Sequence, residues 1–93
     1  MTKNDLVNEI SNNTGIDKQT SMILVEAFMQ TVKTSLSNEE NVYLRGFGSF
    51  IIKKRAEKTA RNISQNTTIT IPEHNIPAFK PSKEFLDSVK KID

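Results

Sequence analysis

Lys53, Lys54, Arg55, Lys58 and Arg61 place five cations within nine residues, and Glu57 is the one opposing charge among them. Ammonium and guanidinium groups at that density suit electrostatic attachment to a polyanion. A charge run alone reads as readily as a solvated face, with Glu57 pairing its neighbours. Bond-making chemistry is poorly supplied elsewhere. The chain has one histidine, His74, and no cysteine, and its carboxylates are scattered. An enzyme would need a nucleophile with a base, paired carboxylates in a pocket, or metal ligands, so the chain reads as a non-enzyme without cofactor or metal. Absent cysteines also remove disulfides and the common zinc frameworks and fit a reducing compartment.

The elements around the basic run explain its placement. Gly46 and Gly48 flank Phe47, which predicts a tight bend against an aromatic. Phe50 and Ile52 then alternate with Ser49, Ile51 and Lys53 at period two, the pattern of a strand. After Ile52 the apolar residues stop and the cations begin, so one segment leaves a core and runs outward carrying positive charge. A β-branched return strand is expected at Thr67-Thr68-Ile69-Thr70-Ile71. Residues 56–66 between them hold Ile63 as the one sizeable apolar side chain. Strand, polar excursion and strand predict a long hairpin with no core beneath its tip. Pro72 and Pro77 restrict residues 73–76 to a sheet edge or bulge. His74 is read as exposed in a Pro-bounded turn.

The first 40 residues read as helical. Thr2 and Asp5 form a capping box for a first helix, with Leu6, Val7 and Ile10 inward and Gly15 as its stop. Asp17 caps a second. Met22, Val25, Phe28, Met29, Val32 and Leu36 fall at helical spacing, and Ile23, Leu24 and Ala27 widen the stripe. Such a helix is buried on two sides: one meets the first helix, and the other suits a second copy of the chain. Glu26 and Lys33 are the only charges noted on this helix, too little basic character for a groove-reading helix-turn-helix. Pro81-Ser82 opens a last helix with Phe85, Leu86, Val89 and Ile92 inward. Phe28, Phe47, Phe50 and Phe79 are expected in the core, with Met22 and Met29 as filler.

With 93 residues, a single domain is expected. A monomer of that size buries only about 60–70% of its unfolded surface, so self-association is expected. The expected divisions are a helical dimerisation base at 1–40, a β-saddle at 41–81 with an arm at about 53–71, and a C-terminal helix at 82–93. Residues 1–44 carry three lysines against six carboxylates, and the remainder ten cations against five, which puts the positive field in the second half. No apolar run approaches a membrane span, and the start is not a signal peptide. The chain therefore reads as cytoplasmic.

At Gly46-Phe47-Gly48-Ser49-Phe50, Arg55-Ala56-Glu57-Lys58, Ala60-Arg61-Asn62 and Pro77-Ala78-Phe79-Lys80 the chain resembles the HU and integration host factor family of DNA-bending proteins, over essentially its whole length. The resemblance implies an α+β fold: two N-terminal helices, a three-stranded antiparallel sheet with an extended β-ribbon arm, and a C-terminal helix. It implies an intertwined homodimer or heterodimer whose arms enter the minor groove, association with the nucleoid, and neither membrane nor small-molecule partners. Arm contacts are expected at Arg55, Lys58, Arg61 and Asn62, and flank contacts to phosphate at Lys3 and Lys83. Arg45, Lys53, Lys54 and Lys80 complete the expected DNA-binding set. Ile63 stands where the family usually has its proline wedge, and the tip after it lacks the usual glycine and lysine. Isoleucine is also an apolar wedge able to unstack a base step, though less rigid. Binding is expected to favour bent, nicked or junction DNA, whose deformation costs less. General binding as in HU, sequence-preferring binding as in integration host factor, and an RNA-binding module are the readings left at this point.

Overall fold

The computed structural model describes residues 1–62 and 67–91, with Arg61 and Asn62 described as backbone alone. The order of elements is α1 (Lys3–Thr14), α2 (Lys18–Ser37), β1 (Val42–Leu44), β2 (Gly48–Arg55), β3 (Lys58–Asn62), β4 (Thr67–Ile71), β5 (His74–Pro81) and α3 (Lys83–Lys90). The chain is α+β, with two N-terminal helices, antiparallel sheet and a C-terminal helix, as expected. It divides into two compact units, Met1–Ser35 and Leu36–Asp93. Ile63 and Ile92 lie outside the described residues.

In the helical unit the predicted caps form. Thr2 Oγ1 accepts from the Asp5 N–H at 3.2 Å, and Asp5 Oδ2 accepts from the Thr2 N–H at 2.9 Å. Gly15 closes α1 in the left-handed region at φ 77°, its N–H donating to the Ser11 carbonyl at 2.9 Å. Asp17 Oδ2 accepts from the Thr20 N–H at 3.0 Å. That bond, then the one from the Thr20 hydroxyl, holds the Asp17 carboxyl below its ordinary value. Val7 and Val25 are buried, as is Ser21, whose Oγ donates to the Ile16 carbonyl at 3.4 Å. Beside them Leu6, Ile10, Leu24, Phe28 and Met29 border an apolar groove of about 370 Å³. Ile23, Leu24, Phe28 and Met29 are exposed. Phe28 and Met29 are therefore not core within one chain, because α1 covers only one side of the wide apolar stripe on α2.

The second unit is built on a hairpin of one unbroken register. β1, β2 and β5 form a three-stranded antiparallel sheet in the order β1-β2-β5, and β3 and β4 form a separate two-stranded ribbon. Arg55 pairs with His74 and Lys58 with Ile71. Three residues onward in one strand match three residues back in the other, so register passes between the sheets without slip. This corrects the expected pairing in detail. The return strand 67–71 lies against 58–62, whereas the partner of β2 is His74–Pro81. His74 opens a strand rather than sitting in a turn, and it is exposed.

Proline phase explains the interruption. The N–H and C=O of a residue in an antiparallel strand point to the same edge, and successive residues alternate edges. The Ile52 N–H donates to Asn41 Oδ1 at 3.0 Å, so even-numbered residues of β2 point away from β5. Pro77 faces Ile52 and Pro81 faces Gly48, and their missing N–H groups fall outside the ladder. Pro72 has the opposite phase: continued register would set it against Glu57 as a bonded pair, and it has no N–H to give. Its carbonyl instead lies 2.9 Å from His74 Nδ1, which must carry the proton, since a carbonyl can only accept. The ladder stops at Arg55 and resumes at Lys58.

Four phenylalanines hold the sheet to α3. The Phe47 ring lies 5.1 Å from Phe79 and 5.3 Å from Phe85, and Phe50 lies 5.0 Å from Phe79, within the usual range of aromatic pairs. Ser82 caps α3, its Oγ accepting from the Phe85 N–H at 3.2 Å and donating to the Gly46 carbonyl at 2.9 Å. Phe47, Phe50 and Phe79 of the expected aromatic set meet, with Phe85 rather than Phe28 as the fourth ring, and the cluster stays partly open: Phe47 and Phe79 are 44% and 39% exposed. Leu86 and Val89, expected inward, are exposed; within one chain the short α3 half-buries only Phe85 of its apolar residues. Gly48 admits the Phe79 ring. A Cβ there would meet the Lys80 carbonyl and the Phe79 ring, both at 2.6 Å. Gly48→Ala should lower stability by about 1–3 kcal/mol, the usual range for overpacking, as measured by urea unfolding; an unchanged midpoint would refute the close approach.

Candidate nucleic-acid interface

The ladder sorts the cations by face. Residues directly opposite in an antiparallel pair project to the same side. Tyr43 faces Ser49, which faces Lys80; Lys53 faces Ile76, and Arg55 faces His74. Tyr43, Lys80, Lys53 and Arg55 thus share one face of the sheet, and Phe50 and Phe79 occupy the other. Each cation of that face is exposed. At one end Tyr43, Arg45, Ser49, Lys80 and Ser82 border an open cleft of about 400 Å³, which joins Arg45 to the basic face. At the other end β3 begins with Lys58. Arg61 and Asn62 occupy the ribbon positions opposite Thr68 and Thr67.

Three expected contacts are already engaged with carboxylates. Lys3 Nζ lies 3.0 Å from Glu26 Oε1, Lys54 Nζ 2.9 Å from Glu73 Oε1, and Lys83 Nζ 3.3 Å from Asp87 Oδ2. Lys3 belongs to the helical unit and Lys83 to α3. Lys54 alternates away from the basic face and ties the base of the arm to Glu73, beside the ladder break. Arg45, Lys53, Arg55, Lys58 and Lys80 have no carboxylate partner among the described residues. Lys53, Arg55 and Lys80 thus share one face of the sheet, the paired Lys54 alternates to the other, and Lys58 opens the ribbon beyond. The expected wedge, Ile63, is outside the described residues.

Sequence reasoning missed two features. Tyr43 is 72% exposed on the basic face; counting alternation from Lys80 through Ser49 finds it once the register is known. Ile69 and Ile71 lie exposed on the ribbon, where β-branched character announced a strand but not its place in a separate two-stranded sheet. Among the described residues no three His, Cys, Asp or Glu side chains gather as metal ligands would, and no helix is long and apolar enough to cross a membrane.

Comparison with known proteins agrees with this architecture. The family model described as bacterial DNA-binding protein matches residues 1–90, and the chain belongs to that family. It is 38% identical over 91 residues to DNA-binding protein HU of Thermus thermophilus, covering 98% of this chain and 94% of that one. It is 36% identical over 90 residues to DNA-binding protein HU of Staphylococcus aureus, covering 97% of this chain and all of that one. Among solved structures, an HU–DNA cocrystal structure from Anabaena superposes with a TM-score of 0.93 at 29% identity, over 99% of this chain and 100% of that one. HU from Thermotoga maritima shares the fold, with a TM-score of 0.67 at 22% identity and coverage of 96% and 98%. The resemblance read from the arm and Gly-Phe-Gly motifs is borne out.

Lys54 and Glu73 make a testable pair. Both ends are largely exposed, and such pairs are worth about 0–1 kcal/mol. Glu73→Gln should raise affinity for heparin by up to about fivefold, measured at fixed ionic strength. Weaker binding by the variant would mean that Glu73 positions Lys54 rather than competing for it.

Proposed function

We propose that this chain is an architectural DNA-binding protein that acts as a dimer, lays its ribbon arms in the minor groove and bends or compacts DNA largely without sequence specificity. The observation that carries the reading is the single-register hairpin that continues from a basic sheet face into a projecting two-stranded ribbon. Phosphate contacts by Arg45, Lys53, Arg55, Lys58 and Lys80 release counterions and supply affinity without reading bases. Arg61 and Asn62 act farther out on the arm, and Lys3, Lys54 and Lys83 join after exchanging their carboxylates for phosphate. Paired strands lie about 4.8 Å apart and the groove is only about 6 Å wide. A ribbon therefore widens the groove, which bends the duplex away from the protein. Ile63 at the arm tip serves as the wedge, unstacking a step at a cost of a few kcal/mol that the contacts of bent DNA offset. Bent, nicked or junction DNA is preferred because part of that deformation is already present.

The dimer reading is supported by the exposed faces of both units. Leu24, Phe28 and Met29 on α2, and Phe47, Phe79 and Leu86 in the second unit, are exposed apolar side chains of the kind that an association surface covers. A second copy is the partner that the chain itself supplies. Melting temperature should then rise with protein concentration; a compact monomer in sedimentation, stable across dilution, would refute association.

Binding to a short duplex, followed by fluorescence anisotropy between 50 and 200 mM salt, tests the interface. With about 6–10 phosphates met per dimer, affinity should fall roughly 10³- to 10⁵-fold over that range. Arg55→Ala should weaken binding to all sequences alike and flatten the slope. A variant that altered sequence preference with the slope intact would contradict the assignment. The wedge is tested separately by energy transfer between the duplex ends. Ile63→Ala should reduce the bend and the preference for nicked over intact DNA while the salt slope holds. Bending equal to the parent's would remove Ile63 from the mechanism.

A further inference from the structure

We propose that His74 and Arg55 form a phosphate-binding pair at the root of the arm, in which the imidazole takes part only as imidazolium, so that DNA binding takes up a proton there. The inference rests on the DNA-binding reading above. It adds a residue that the basic run does not contain and a dependence on pH.

Register places the pair. Arg55 and His74 stand directly opposite each other, and side chains so related leave one face with Cβ atoms about 4.5–5.5 Å apart. Both are exposed. Lys53 shares that face, opposite Ile76 and therefore diagonal to His74, a separation of about 7–8 Å. Lys54 alternates to the other face and holds Glu73 at 2.9 Å. Glu57 follows Arg55 by two residues, in the gap between the ladders, and Lys58 opens β3 beyond it. β1 stops opposite Phe50 and does not reach this end of the sheet. The imidazole thus shares its face with two cations, and one carboxylate lies past the end of the strand.

The ring's own hydrogen bond decides its chemistry. His74 Nδ1 lies 2.9 Å from the Pro72 carbonyl, which can only accept, so Nδ1 carries the proton. Pro72 lies outside both ladders, which leaves its carbonyl to the ring. In the neutral ring Nε2 is then a bare acceptor. A phosphate oxygen is an acceptor too, and the two have nothing to exchange. The other neutral tautomer offers a donor at Nε2 but sets two acceptors, Nδ1 and the Pro72 carbonyl, against each other. Only the imidazolium donates at both ends, to Pro72 through Nδ1 and to phosphate through Nε2. A phosphate drawn in by Arg55 and Lys53 supplies the anion that the imidazolium needs, and the imidazolium tightens the hold on that phosphate; the coupling is reciprocal. Imidazole changes charge between pH 5 and 8, where guanidinium and ammonium groups keep theirs. The contact is to the DNA backbone, so all sequences gain alike.

The test is binding of a mixed-sequence 30-base-pair duplex by the full-length protein at pH 8.0 and pH 5.5, with His74→Gln and His74→Lys beside the parent. His74→Gln keeps a polar side chain that does not titrate, and His74→Lys carries its charge at both values. The parent should bind more tightly at pH 5.5, by up to about fivefold per arm, and its salt slope should steepen by about one per arm. His74→Gln should lose that gain. His74→Lys should bind at pH 8.0 as the parent does at pH 5.5. Titration calorimetry at pH 6.5, in two buffers of different ionisation enthalpy, reads the proton directly: the parent should take it up on binding and His74→Gln should not. An equal pH response in the parent and His74→Gln would overturn the proposal and assign the response to carboxylates such as Glu57. Equal proton uptake by the two, or none by the parent, would overturn it as well. Failure of the parent to bind duplex DNA at either pH would instead overturn the underlying reading, and this one with it.

Discussion

Everything in the second unit depends on one close approach, the Phe79 ring against the backbone at Gly48. No side chain fits between them, so the pairing of β2 with β5 is pinned at that notch. A slip of one residue would send every side chain of a strand to the wrong face. With the register held there, Phe50 and Phe79 meet on one side of the sheet and Lys53, Arg55 and Lys80 on the other. Aromatic packing thus decides where the positive field lies, although no charged group takes part in that packing. The charge pattern of the arm is useful only because an uncharged contact some distance away fixes its phase.

Proline then divides the hairpin without disturbing that phase. Pro77 and Pro81 stand where the strand points outward, and Pro72, five residues before Pro77, stands where it points inward. The sheet ends and the ribbon begins at the point where a donor is missing. Beyond the gap the chain returns to the same register, so the ribbon inherits its alternation from a sheet to which no ladder bond joins it. Lys54 and Glu73 bridge the strands beside the gap, an ionic contact where the backbone offers none. Ions in solution screen such a contact but leave the ladder untouched, so the root of the arm is the part of the hairpin most responsive to its medium.

Local features were legible in the sequence and long-range ones were not. The capping box at Thr2, the cap at Asp17, the stop at Gly15 and the cap at Ser82 each depend on residues within a few positions. The basic run and its resemblance to a DNA-bending family also gave the arm and its expected contacts. Pairing was harder: alternation identifies 49–55 and 67–71 as strands but does not say that each takes a different partner. The proline phase held that information, since Pro72 and Pro77 lie an odd number of residues apart and cannot both point outward. The ion pair of Lys3 with Glu26 spans two helices, and helical periodicity does not choose one facing rotamer over another. The core was overestimated for a simple reason. Phe28, Met29, Leu86 and Val89 have core-like spacing, but spacing does not say whether the covering surface belongs to the same chain.

The unbroken register also limits how such an arm can change over evolutionary time. A single inserted residue in either strand must bulge or shift the pairing beyond it, turning cations toward the aromatic side. Length can be gained without that penalty only by adding equal numbers to both strands beyond Gly48, and the phase of Pro72 is kept by any such addition on its tip side but only by even numbers on its root side. The arm is thus free to lengthen at its end and is fixed at its root. Drift should accumulate near the tip as matched pairs of residues, while the spacing from Gly48 to Arg55 and from His74 to Pro81 stays constant.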